Sequence, residues 1–151
     1  MRKTTTTRVL ALLAAAGLAV SGAACGEEGV SKAEYLRRAR AVCEQGRQTL
    51  EGASDATFGN LAPGQKVPDP ELDRFVRQTV IPTLRDQVRQ LRALPPPKGK
   101  KGKVEEIYRA LDKGLDDLEK APQSLIDGRN PFREAELLAT RYGIGVCAGT
   151  V

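Results

Sequence analysis

Three cysteines, Cys25, Cys43 and Cys147, are the residues of this chain best suited to chemistry, because it contains no histidine. Without histidine there is no Ser-His-Asp relay and no imidazole metal ligand. The cysteines stand far apart and show no CxxC spacing, so neither a redox dithiol nor a zinc site is expected. Adjacent acids occur at Glu105-Glu106 and Asp116-Asp117. Neighbours on a helix point about 100° apart, so neither pair converges on one substrate atom. No glycine-rich phosphate loop follows a strand. These features predict no catalytic residue, no metal and no cofactor.

Cys25 closes a segment with an export pattern. Arg2, Lys3 and Arg8 form a positive start with no acid before Glu27, and Val9 to Val20 is an apolar and glycine run of 12 residues. Small residues follow, which completes the layout of a secretory signal over residues 1–24. A membrane span needs about 18–20 apolar residues, so the run is too short to cross a bilayer. Gly22 and Ala24 fit a small-x-small site for an ordinary signal peptidase. Gly22-Ala23-Ala24-Cys25 also resembles a lipobox, in which the cysteine receives diacylglycerol, although Gly22 stands where an aliphatic residue is usual. Both readings place Cys25 at the mature terminus. The lipobox reading makes Cys25 the lipid attachment site and residues 25–30 a short tether.

An odd cysteine in an oxidising compartment is left free or pairs between molecules. Lipidation of Cys25 removes that oddity and leaves Cys43 and Cys147 as one disulfide; the alternative is two buried thiols. The formal charge of +5 is no nucleic-acid footprint. Without Arg2, Lys3 and Arg8 there are 21 basic against 19 acidic residues, and a DNA-binding domain is normally strongly and locally basic.

About 126 residues remain, enough for one domain. Aromatics are few, tryptophan is absent, and Ala, Leu, Arg and Glu recur in long segments, which predicts an all-α fold over residues 31–151. A first helix over about 31–50 starts at the capping box Ser31/Glu34, with Val30 stapled onto Tyr35. Its apolar seam is Leu36, Ala39, Cys43, Gly46 and Leu50. Glycines and prolines then predict a long connection from Glu51 to Asp69. The second helix runs over 70–94 behind the N-cap Asp69, kinked at Pro82 because proline lacks an N–H. The third covers 103–121 on the stripe Val104, Ile107, Leu111, Leu115 and Leu118. The fourth covers 131–142, capped by Asn130 and closed by Gly143. Gly46 and Gly114 each lower helix propensity, which close packing or a small cavity would explain. Together these make a four-helix bundle-like domain with one long-range disulfide.

Two basic runs offer partner contacts. Arg85, Arg89 and Arg92 form a stripe whose expected role is pairing with acids on a neighbouring helix or plain solvation, the alternative being contact with anionic polymers. Lys98, Lys100, Lys101 and Lys103, after the extended Pro95-Pro96-Pro97, form a solvated loop that suits lipid headgroups or an anionic wall polymer.

Cys25, the Tyr35 to Cys43 segment, Leu91-Arg92-Ala93-Leu94-Pro95-Pro96-Pro97 and Tyr142-Gly143 to Cys147 resemble small helical lipoproteins of high-GC Gram-positive bacteria. The resemblance implies anchoring on the extracytoplasmic face of the cell membrane and carries no activity. The reading is a lipid-anchored binding or scaffolding module of the cell envelope, not an enzyme, whose partner is an envelope protein or anionic polymer. The alternative is a small-ligand carrier with a cavity between helices.

Overall fold

The computed structural model describes residues 29–62 and 64–145. The expected signal over residues 1–24, the expected lipid site Cys25 and the expected disulfide partner Cys147 lie outside them. The described chain is helical: α1 (Lys32–Phe58), α2 (Asp69–Phe75), α3 (Ile81–Arg92), α4 (Lys101–Lys120) and α5 (Arg133–Tyr142). A π-helical turn, Val76–Val80, joins α2 to α3 without a break, so four helical rods result. They alternate in direction, with α3 packed on α1 and α4, and α4 on α5. No strand occurs among the described residues; one isolated bridge joins Val30 to Pro97.

Ser31 starts α1 as expected. Its extended backbone turns Oγ toward the helix, where it accepts from the Glu34 N–H at 3.1 Å. The return half of the capping box is replaced, because the Glu34 carboxylate accepts from Arg37 and Arg38. The seam residues Ala39, Cys43 and Gly46 are buried, with Leu36 and Leu50 at its edges. Helix α1 does not stop at Leu50 but continues to Phe58, so the expected long connection shrinks to residues 59–68. Gly52, one of the glycines of the expected connection, lies exposed within α1, where a single glycine costs only about 1 kcal/mol. The extension sets Phe58 edge-on against Phe75, with centroids 4.9 Å apart, and that non-local contact favours two further turns.

Pro68, one residue before the expected Asp69, caps α2, and Pro70 sits in its first turn. The expected kink at Pro82 takes the form of the π turn preceding it. Proline has no N–H to return and its ring crowds the carbonyl one turn back; widening that turn relieves both. The Ile81 N–H accordingly bonds the Val76 carbonyl. The wide turn also buries two consecutive side chains, Val80 and Ile81. Helix α4 starts two residues before the expected Lys103 and buries its predicted stripe, Leu111 partly. Helix α5 starts at Arg133 rather than Pro131. Asn130 still organises the entry: its Oδ1 accepts from the Phe132 N–H at 2.8 Å and its amide donates to Glu136 at 2.9 Å. Gly143 closes α5 in the left-handed region at φ 103°, as expected of a C′ glycine.

The core has two parts. Tyr35, Ala39, Cys43, Leu91, Ile107, Tyr108, Ala139, Tyr142 and Ile144 fill the end where α1 and α4 begin. Leu72, Val76, Val80, Leu84, Val88, Leu115, Leu118 and Phe132 fill the opposite end. Both sensitive glycines are packing positions. A Cβ on Gly114 would lie 2.5 Å from the Phe132 ring, and one on Gly46 would lie 2.8 Å from Gln87 Oε1.

Candidate anionic-surface site

The chain enters the bundle beside the α3–α4 connection. The Val30 N–H donates to the Pro96 carbonyl at 3.2 Å, and the Lys98 N–H donates to the Val30 carbonyl at 3.1 Å. Gly29 lets the strands approach, since a Cβ there would sit 2.7 Å from the Pro96 carbonyl oxygen. The extended prolines thus present a carbonyl to the incoming chain, and the lysines after them are held at the same end.

Lys98, Lys100, Lys101 and Lys103 are all exposed. Lys100 and Lys103 wall a groove of about 460 Å³ with two cations from distant sequence, Lys32 of α1 and Arg141 of α5. Tyr142, Ile107 and Leu138 form its apolar floor, and Glu106 is the acid in its wall. The Lys32 ammonium lies over the Tyr142 ring, 4.8 Å from its centroid. None of Lys32, Lys100, Lys103 and Arg141 has an ion-pair partner among the described residues. Lys98 and Lys101 stand at the same bundle end, outside the groove lining.

The arginine stripe behaves differently. Arg85 reaches Glu119 of α4 at 2.7 Å, Arg92 reaches Asp112 at 2.6 Å and Glu105 at 3.6 Å, and Arg89 bonds Asp86. Arg85 and Arg92 lace α3 to α4, the pairing with a neighbouring helix expected of the stripe, while Arg89 pairs within α3. Arg37 and Arg38 similarly engage Glu34 and hold its carboxyl down at about 2, far below the ordinary range, chiefly through hydrogen bonds. Lys32, Lys98, Lys100, Lys101, Lys103 and Arg141, by contrast, gather at one end without an ion pair among the described residues.

A polar chain runs through the core at this end of the bundle. The Tyr108 hydroxyl donates to the Leu91 carbonyl at 2.7 Å, in the last turn of α3. Its one hydrogen is then committed, so the Tyr35 hydroxyl, 2.7 Å away, donates to Tyr108. Tyr142 packs edge-on to Tyr35, with centroids 6.2 Å apart. Burial raises the pKa of all three phenols. They are structural groups, far from ionisation at neutral pH.

Sequence reasoning named the lysine run but missed Lys32 and Arg141. The signal was topological: in an alternating four-helix bundle the start of the first helix and the end of the last meet at one end. A second space, inside the bundle, is a cavity of about 40 Å³ bordered by Tyr35, Gln87, Leu91, Tyr108, Leu111 and Phe132. It has the size for one or two waters, against several hundred Å³ for an ordinary ligand pocket. Among the described residues no three metal-ligating side chains gather, and no helix is long and apolar enough to cross a membrane. No family profile, curated protein sequence or solved structure matches this chain.

Proposed function

We propose that this chain is an exported module held on the extracytoplasmic face of the cell membrane by a diacylglyceryl group on Cys25, where it binds or scaffolds another envelope component. The observation that carries the reading is the coincidence of two features at one bundle end. The chain arrives there from Cys25 through the Val30–Pro96–Lys98 hydrogen bonds, and the unpaired cations Lys32, Lys100, Lys103 and Arg141 collect there. A Cys43–Cys147 disulfide completes the proposal. Cys43 is fully buried in the same core as Ile144, three residues before Cys147 in sequence. The carrier reading has little support, since the interior offers about 40 Å³.

Native mass spectrometry of the chain extracted from its own membrane fraction tests the proposal. The expected species carries an acylated Cys25, lacks two hydrogens at the Cys43–Cys147 pair, and retains a protein or polymer partner. An unacylated mass with a free Cys25 thiol overturns the anchor. A retained small molecule in place of a macromolecule would turn the reading to the carrier.

A further inference from the structure

We infer that the groove formed by Lys32, Lys100, Lys103 and Arg141 docks on the anionic phosphate headgroups of the membrane that carries the chain, so that the bundle stands on this end. The inference rests on the lipid anchor proposed above and adds to it a specific surface, an orientation and a lipid dependence.

Chain length supplies the first argument. Four peptide units separate Cys25 from Gly29, an extended reach of about 14 Å. Gly29 is the last residue before the bonded Val30, so the groove's end of the bundle lies within about 14 Å of the lipid surface. That is close to the Debye length of about 8–10 Å at ordinary ionic strength, within which a headgroup layer attracts basic side chains. A tether many residues longer would have left the orientation free.

Charge complementarity supplies the second. Along the body of the bundle Arg37, Arg38, Arg47, Arg77, Arg85 and Arg92 meet carboxylates, while Arg40, Arg74, Arg109 and Arg133 are spread singly over its sides. The groove cations do not, and Lys98 and Lys101 extend their field across the same end. The opposing acids are Glu106 in the groove wall and Glu27 and Glu28 in the tether. Glu34, also near this end, is taken by Arg37 and Arg38. Helix dipoles do not decide the matter, because the starts of α1 and α4 and the ends of α3 and α5 share this end and offset one another. The side chains carry the charge. With α1 about 40 Å long, the opposite end, with residues 64–68 and the exposed Ile126, is held away from the lipid.

Lysine footprinting tests the docking. The chain purified from membranes is reconstituted into phosphatidylcholine vesicles with or without phosphatidylglycerol, and acylated at single-hit level with a water-soluble amine reagent. Mass spectrometry reads each lysine, and the same spectra report the lipid on Cys25. Lys32, Lys100 and Lys103 are expected to react at least about threefold more slowly when phosphatidylglycerol is present, and to recover in high salt. Lys66 and Lys120, at the far end, should not change. Arg141→Glu, an exposed substitution, should weaken the protection of Lys32 and Lys103 with the lipid on Cys25 intact. Equal rates in both vesicles, or equal protection of Lys66 and Lys120, overturn the docking even if Cys25 is acylated. Protection by a soluble poly(glycerol phosphate) but not by phosphatidylglycerol overturns it in favour of a wall polymer. An unacylated chain still protected by added phosphatidylglycerol vesicles would sink the anchor and keep the headgroup surface.

Discussion

The Tyr35 and Tyr108 hydroxyl oxygens lie 2.7 Å apart, and the direction of the proton between them is fixed by a third atom. Tyr108 gives its hydrogen to the Leu91 carbonyl, so Tyr35 must be the donor within the pair. This makes the two tyrosines unequal. Tyr108→Phe removes both links and leaves the buried Tyr35 hydroxyl and Leu91 carbonyl short of a partner, a loss of about 1–3 kcal/mol. Tyr35→Phe removes only the outer donor and should cost about 0.5–1.5 kcal/mol. Urea unfolding of the two variants checks the order; equal losses, or a larger loss for Tyr35→Phe, would show that the proton runs the other way.

All three tyrosines of the chain stand in this one cluster, and burial raises each pKa above the ordinary value near 10. A raised acid pKa in the folded state means that folding retains protons the unfolded chain releases. The associated stability is therefore complete below about pH 10 and is lost as pH rises beyond it. Alkaline titration followed by phenolate absorbance should show no early tyrosine, and the signal should rise together with loss of helical circular dichroism. Phenolate appearing near pH 10 with helicity intact would refute the packing of Tyr142 or Tyr35 described above.

Three helical glycines should respond to alanine in opposite directions. At Gly52 nothing lies within 4 Å of a new Cβ, so Gly52→Ala should stabilise the protein by about 0.5–1 kcal/mol through helix propensity. At Gly114 the Cβ would meet the Phe132 ring at 2.5 Å and the Pro131 carbonyl oxygen at 2.9 Å, and that carbonyl cannot yield easily. Overpacking there should outweigh the propensity gain and destabilise by about 1–3 kcal/mol. Gly46→Ala falls between, because its neighbour is the movable end of Gln87. Thermal melts of the three variants rank these effects. A stable Gly114→Ala protein would contradict the close approach of α4 and the Pro131-Phe132 segment.

What could be read from sequence was local. The spacing of Ala39, Cys43 and Gly46 and of Val104, Ile107 and Leu115 marks buried faces because a helix repeats every 3.6 residues whatever it packs against. Ser31 and Gly143 mark ends because they satisfy orphan backbone groups by themselves. The extension of α1 to Phe58 was not legible, since its gain comes from Phe75, which local pattern does not contain. The π turn before Pro82 was half legible: proline announces a disturbance, but whether the chain bends or widens depends on what Val80 and Ile81 must reach. The candidate groove was half legible for the same reason. Lys100 and Lys103 advertise themselves as a run, whereas Lys32 and Arg141 join them only through topology.

The proposed Cys43–Cys147 bond makes a prediction that separates it from two buried thiols. A cystine closing a loop of roughly 100 residues restricts the unfolded chain and contributes about 2–5 kcal/mol. Reductant should therefore lower the melting temperature of the parent protein. Cys147→Ala removes the bond while leaving the fully buried Cys43 side chain in place, so it should melt where the reduced parent does and ignore reductant. Cys43→Ala should lose the same increment plus a small packing cost, because truncating a fully buried side chain leaves a void between Tyr35, Ala39 and their neighbours. The difference between the two variants measures packing at Cys43, and their shared loss measures the bond. A parent whose melting is indifferent to reductant, and equal to that of Cys147→Ala, would mean that the core at the groove end is held by Tyr35, Tyr108 and Tyr142 without a covalent link.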